Sequence, residues 1–200
     1  MSKSTDRYSG PAASTYSYMN EFIVHCPKCD AMATVSTNQS FDTSNDKLTC
    51  TNCHFVEMRD ELIRYNAEIL RNCDNCGKQI NITIPDNKQE TTELQLPCPH
   101  CHIIRIYKPK NSKYFVGYKS IGICDPVFNL PLWLQADVKG ETLWAYNFSH
   151  LREIRNYVSA KLRERQTSAF TTMVEKLPNF IKIGKNRVAV LKVIDKLLLK

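Results

Sequence analysis

The sequence predicts an α+β fold: two tandem β units, each built on four cysteines, followed by a β-hairpin and a small C-terminal helical region. Three observations predict it. Eight of the nine cysteines stand in Cys-x-x-Cys pairs, at Cys26/Cys29, Cys50/Cys53, Cys73/Cys76 and Cys98/Cys101. These pairs fall into an internal repeat. Beyond residue 147, apolar residues recur at helical spacing, where earlier segments alternate at period two.

The gaps between pairs are 20, 19 and 21 residues, so spacing alone does not say which pairs belong together. The repeat does. His25-Cys-Pro-Lys-Cys-Asp30 matches Asn72-Cys-Asp-Asn-Cys-Gly77, and Leu48–Arg59 matches Leu96–Tyr107, at offsets of 47 and 48 residues. A unit that duplicates carries its own complete site. Cys26, Cys29, Cys50 and Cys53 therefore form one site, and Cys73, Cys76, Cys98 and Cys101 the other.

Four cysteines so spaced are the zinc-ribbon signature. Two intervening residues let both sulfurs of a pair reach one tetrahedral ion from a tight turn. The longer gap allows a hairpin to bring the second turn back. Soft thiolates and tetrahedral geometry suit Zn²⁺, two ions in all, with iron or an iron–sulfur centre as the alternative. Disulfides fit worse, because nine is an odd number and no secretory signal precedes the first pair. A thioredoxin-like redox pair would need a βαβ context that the sequence lacks. Four thiolates fill the coordination shell, which makes the sites structural.

Each ribbon spans only about 35 residues, too few for an adequate core, so metal binding must supply much of its folding energy. No apolar run is long enough to cross a membrane, and a cytoplasmic protein is expected. The formal charge of +7 falls to about +3 once eight thiolates hold two Zn²⁺. Its distribution is uneven. Residues 21–102 carry 7 basic and 12 acidic residues, whereas 150–200 carry 12 and 4, so a polyanion would be met by the later part.

In order, residues 1–20 are small, polar and aperiodic and read as a disordered arm. Ribbon one covers 21–61, with strands near Phe22–His25, Met32–Thr37 and Phe55–Arg59 and a loop over Ser40–Asp46. Ribbon two covers 62–108. Residues 60–71 are a short helix or a lead-in strand, and the repeat favours a strand near Glu68–Arg71. Gln79–Ile84 alternates and ends at the turn Pro85-Asp-Asn87; Ile103–Tyr107 is the return strand. His54 and His102 each follow the last cysteine of a unit, but four sulfurs already complete each site.

Residues 109–146 read as a basic, aromatic linker and a Trp hairpin. Arg105, Lys108, Lys110, Lys113 and Lys119 lie among Tyr107, Tyr114, Phe115 and Tyr118 with no acidic residue between 103 and 120. This suits stacking on bases and pairing with phosphates, or else a solvated linker with inward aromatics. Leu132-Trp-Leu and Leu143-Trp-Ala-Tyr flank a Gly-containing loop at Asp137–Gly140. The tryptophans form a core or anchor a partner. Cys124 is unpaired; a catalytic thiol would need a base such as His150, and a small buried apolar residue is the simpler reading.

Residues 147–200 form a basic helical tail. Asn147–Ser149 offers caps for a helix carrying Leu151, Ile154, Val158 and Leu162 inward, through Arg165, with Arg152, Arg155 and Arg163 on the other face. A second helix is expected at about Ser168–Leu177, stopped by Pro178. Asn186 caps a third, with Val188, Leu191, Ile194, Leu197 and Leu198 inward.

The four pairs, Leu130-Pro-Leu-Trp-Leu-Gln135, Leu143-Trp-Ala-Tyr-Asn147 followed by His150-Leu151, Leu162-Arg-Glu-Arg165 and Lys185–Leu191 together resemble bacterial tandem zinc-ribbon proteins with a hairpin-plus-helix tail. The resemblance runs from Cys26 to the end. The activity of that group is not settled, so it implies an architecture and not a mechanism. Its members carry cysteines near the hairpin loop; here Asp137-Val-Lys-Gly-Glu141 has none, and a third metal is not expected. Zinc ribbons at large recur in transcription, translation and replication proteins, which by analogy points to nucleic acid.

Two functional readings follow. One is a non-enzymatic zinc module associated with nucleic acid, through Arg105, Lys108, Lys110, Lys113, Arg152, Arg155 and Arg163. The other is a protein-interaction adaptor or assembly subunit that uses ribbon edges and the Trp hairpin. No catalytic motif is present, so neither an enzyme nor a small-molecule substrate is expected.

Overall fold

A computed structural model of the chain describes residues 7–38, 45–163 and 167–200. Its contacts separate two units: Met1–Arg59 together with Tyr118–Lys200, and Asp60–Gly117. The sequence divides the chain in series. The structure instead groups the first ribbon with the C-terminal region and leaves the second ribbon as an insertion.

The chain begins the first unit with an antiparallel sheet in the order β1 (Glu21–His25), β2 (Met32–Ser36), β3 (Lys47–Cys50) and β4 (Val56–Met58). Register places Phe22 opposite Val35 and Val35 opposite Leu48; all three are fully buried on one face. Ile23 points to the other face and joins a second, larger core. β1 is thus apolar on both sides, which explains why its sequence does not alternate. Of the loop expected at Ser40–Asp46, the part up to Ser44 lies outside the described residues.

In the inserted unit, β5 (Ile63–Asn72) is flanked by β6 (Gln79–Asn87) and β9 (Lys110–Phe115), and β7 (Leu94–Pro97) pairs with β8 (Ile104–Tyr107). The ambiguous stretch 60–71 is therefore strand over most of its length. The stretch expected to be a basic linker is in part β9, paired with β5 through Glu68–Lys110 and Tyr65–Lys113. The core of this unit is small: Ile69, Cys73, Ile80, Cys98 and Tyr107.

Back in the first unit, β10 (Gln135–Val138) and β11 (Glu141–Trp144) form the expected hairpin. Lys139 and Gly140 both have positive φ, 56° and 86°, as a two-residue turn of this hand requires. Among the described residues four α-helices follow: α1 (Phe148–Ser159), α2 (Met173–Lys176), α3 (Asn179–Lys182) and α4 (Arg187–Leu197). Leu134, Leu143, Leu151, Ile154 and Ile194 are completely buried among them. The Asn147 side chain caps α1 by accepting the His150 N–H at 2.9 Å, and its amide donates to the carbonyls of Tyr18 and Glu21.

Three sequence expectations are corrected here. Over 7–20 the chain is no disordered arm: Tyr8 and Tyr18 are 3% and 7% exposed and belong to the large core. The Tyr8 N–H donates to the Leu162 carbonyl and the Met173 N–H to the Ala13 carbonyl. Residues 1–6 lie outside the described residues. α1 ends at Ser159 because Ala160 is extended, with ψ 140°, and Leu162 is over half exposed; Arg165 lies outside the described residues. The second helix is shorter than expected. It starts where the Glu175 carboxylate accepts the Thr172 N–H at 2.7 Å, and Pro178 then opens the extra helix α3.

Candidate metal centres

Each Cys-x-x-Cys pair sits on a tight turn of one kind. The N–H of the first cysteine donates to a carbonyl five residues on: Cys26 to Ala31, Cys50 to Phe55, Cys73 to Lys78 and Cys98 to Ile103, at 2.8–2.9 Å. The residue after the second cysteine is left-handed each time: Asp30, His54, Gly77 and His102, with φ between 58° and 70°. In three of the turns its N–H donates back to the carbonyl of the first cysteine at 2.9 Å. A left-handed backbone favours Gly or a short polar residue, and Gly77 is the only one of the four that meets it without strain. This places His54 and His102 by their backbone.

The turns come together in two groups: Cys26, Cys29, Cys50 and Cys53 in the first unit, and Cys73, Cys76, Cys98 and Cys101 in the second. Within each group all sulfurs lie within 4.8 Å of one another. Cys26–Cys53 and Cys29–Cys50 are 3.6 Å apart; Cys73–Cys101 and Cys76–Cys98 are 3.8 Å apart. Four sulfurs held tetrahedrally at the usual Zn–S distance are separated by about 3.8 Å. A disulfide would need about 2.05 Å, and all nine cysteines are free thiols. Each cluster is therefore positioned to bind one metal ion, and the donor set fits two zinc ions.

The surroundings favour thiolates. The Asn52 amide reaches the Cys29 sulfur at 3.5 Å, and the Lys28 and His100 N–H groups reach the sulfurs of Cys26 and Cys98 at 3.4 Å. Hydrogen bonds from Asn52 and from the Ala31 N–H pull Cys29 down to about 6, and the N–H groups of Cys76 and Asn75 do the same for Cys73. Their neighbours move the other way. The Phe55 N–H favours the Cys53 thiolate, but lost hydration and the sulfurs around it outweigh this and push Cys53 up to about 12. Two thiolates so close repel, and a divalent cation removes that repulsion and lets all four ionise. Asn52 had no sequence signal of its own, since an amide between two cysteines reads as turn filler.

The residues singled out for phosphate contact fare unequally. Arg105, Lys108, Lys110 and Lys113 are exposed, all in the inserted unit. Lys110 and Lys113 leave opposite faces of β9, because side chains alternate along a strand. Of the aromatics among them, Tyr107 is buried and offers no stacking face, Tyr118 is half-buried with its hydroxyl donating to Glu57 at 2.6 Å, and Phe115 is exposed. Arg152 is exposed on α1. Arg155 pairs with Asp195 at 2.6 Å. Arg163 turns inward, donating to the carbonyls of Val158, Lys182 and Ala160 at 2.8, 2.7 and 3.3 Å with its guanidinium 4.8 Å from the Tyr157 ring. The sequence placed Arg163 on an outer helical face; the helix stops before it, and its donors are committed to backbone.

The edge of β1 is also occupied. The Trp133 N–H donates to the Ile23 carbonyl, the Ile23 N–H to Tyr146 and the His25 N–H to Pro131. Trp133 packs beside the large core, 4.7 Å from the His25 ring. Cys124 is half-buried, and burial followed by the nearby Asp125 charge pushes its thiol up, away from a nucleophile's range. No helix among the described residues is long and apolar enough to cross a membrane. Comparison of the chain with known protein families, curated proteins and solved structures gave no match.

Proposed function

We propose that this protein is a non-enzymatic, zinc-stabilised binding module whose inserted unit docks a partner protein along β8. The observation that carries the reading is the pair Ile104 and Ile106, exposed at 60% and 64% on one face of β8. The opposite face, with Tyr107, packs into the small core. β8 pairs only with β7 among the described strands, so one of its edges is open to an added strand. Arg105 on β8 and Lys108 just after it, and Lys110 and Lys113 on β9 of the same unit, have no ion pair among the described residues. An extended segment that alternates apolar and acidic residues complements this surface. Four sulfurs complete each metal shell, which supports a structural role for both ions. The sequence motifs support placing the chain with bacterial tandem zinc-ribbon proteins, and reduced thiolates suit a cytoplasmic setting.

Nucleic acid is the second reading. The same four unpaired cations and the exposed Phe115 support it, and Arg152 would add one contact from the tail. It has lost Arg163 and has Arg155 neutralised by Asp195, which is why it ranks below the protein reading.

Isolation of tagged, zinc-loaded full-length protein from source cells tests both. The proposed reading expects a co-purifying protein that survives nuclease and is lost from Ile104→Glu/Ile106→Glu. Nuclease-sensitive binding that falls steeply with salt, is lost from Lys108→Glu/Lys110→Glu and is retained by the isoleucine variant establishes the nucleic-acid reading instead. Binding indifferent to both variants contradicts both.

A further inference from the structure

The first unit contains a cavity of about 180 Å³ that neither functional reading uses. Its walls are apolar: Trp144 of β11, Met173 and Leu177 at either end of α2, then Pro178 and Ile181. Four polar residues interrupt them: the threonines Thr15 and Thr142, and two nitrogen-bearing side chains, Lys176 and His150. Lys176 lines the cavity, is exposed, and its ammonium has no partner among the described residues. His150 lines it too and is only 3% exposed.

The state of His150 follows from its contacts. The Tyr146 N–H donates to Nδ1 at 3.2 Å, so Nδ1 is the acceptor and the proton resides on Nε2. The ring is held in place, stacked on Tyr18 at 4.9 Å and edge-on to Trp144 at 6.0 Å. Burial lowers its pKa to about 4, so the imidazole is neutral at physiological pH. Nε2–H has no hydrogen-bond partner among the described residues. A ligand acceptor would give this donor the partner that no described group supplies.

We propose that this cavity is a binding site for a small aromatic carboxylate, whose ring lies against Trp144 and Pro178 and whose carboxylate accepts the His150 Nε2–H, with Lys176 balancing its charge. The volume decides the size. A dry cavity of roughly 150 Å³ takes benzene, so one substituted ring fits and a fused polycycle does not. Apolar walls with a few convergent polar groups are the usual make-up of a ligand site. The donor and the cation together select a carboxylate over a neutral ring. The site depends on neither metal and does not involve β8.

Benzoate is the probe, with toluene and acetate as the body-only and head-only controls, titrated into zinc-loaded full-length protein by calorimetry and by ¹⁵N NMR of the histidine side chains. The inference expects saturable benzoate binding that shifts the His150 Nε2 resonance, with weaker binding of both controls. Lys176→Ala, at an exposed position, should weaken benzoate by roughly fivefold. Thr142→Trp, at an exposed strand position on the cavity wall, should abolish binding while far-UV circular dichroism stays unchanged. No saturable binding by folded protein overturns the inference. So does toluene binding as tightly as benzoate, or benzoate binding unaffected by Thr142→Trp or by Lys176→Ala.

Discussion

The Tyr8 hydroxyl donates to the Glu153 carboxylate at 2.5 Å, joining residues 145 apart in sequence. This bond turns the polar start of the chain into part of the first unit's core. Gly10 packs against the same pair: a Cβ there would fall on the Tyr8 hydroxyl and the Glu153 carboxylate. Tyr8→Phe should destabilise the first unit by about 1.5–3 kcal/mol, as expected for a hydrogen bond to a charged group. Gly10→Ala should cost a similar amount by forcing the pair apart. Because both act on one contact, the double variant should cost clearly less than the two singles combined. Urea denaturation of the four proteins tests this; full additivity would contradict it.

The two units should respond differently to a chelator. Two of the five core residues of the inserted unit are cysteine ligands, whereas the large core of the first unit contains none. Metal removal should expose Asp60–Gly117 to proteolysis and spare α1 and α4. Limited proteolysis with mass spectrometry, beside a largely retained helical signal at 222 nm, is the expected outcome. Loss of the helical signal together with the strands would contradict the division.

Arg163 and Arg152 have opposite roles despite equal charge. Arg163 satisfies carbonyls at the end of α1, where a cation is favoured by the helix dipole. Arg163→Ala should cost about 2–3 kcal/mol, whereas Arg152→Ala on the exposed face should stay within about 0.5 kcal/mol. Thermal denaturation distinguishes them; equal effects would contradict the assignment.

His150 makes stability depend on pH. Its folded pKa lies near 4, below the ordinary 6.5, because burial among Tyr18, Trp144 and Tyr146 disfavours the charged ring. The unfolded chain therefore takes up a proton that the folded chain refuses. The resulting stability is fully present above pH 6.5 and is lost as pH falls towards 4, by at most about 3 kcal/mol. His150→Gln, which can still accept the Tyr146 N–H, should flatten that slope in denaturation curves taken between pH 4 and 7.

What was legible in the sequence was chemistry that is local. Two residues between sulfurs dictate a turn, the repeat sorts the pairs, and alternation or helical spacing marks β6, the Trp hairpin, α1 and α4. What was hidden depends on distant partners. Tyr8 and Tyr18 are isolated aromatics in a polar stretch, and only Glu153 and His150 make them core. Lys110–Phe115 looked like a solvated linker because its strand character comes from β5. Arg163 has the spacing of an outward helical residue, but Ala160 leaves the helix just before it. The unpartnered Nε2 of His150 depends on a tautomer fixed by the backbone of Tyr146, which no residue pattern encodes.

The most direct test of the account is the zinc-to-protein ratio of cleanly prepared, reduced full-length protein, measured by elemental analysis for the wild type and for Cys98→Ser. The account predicts two zinc ions per chain in the wild type and the loss of one in the variant, with the first-unit ion retained. Fewer than two ions with cysteines oxidised to one another, or loss of both ions from Cys98→Ser, would contradict two self-contained four-sulfur sites.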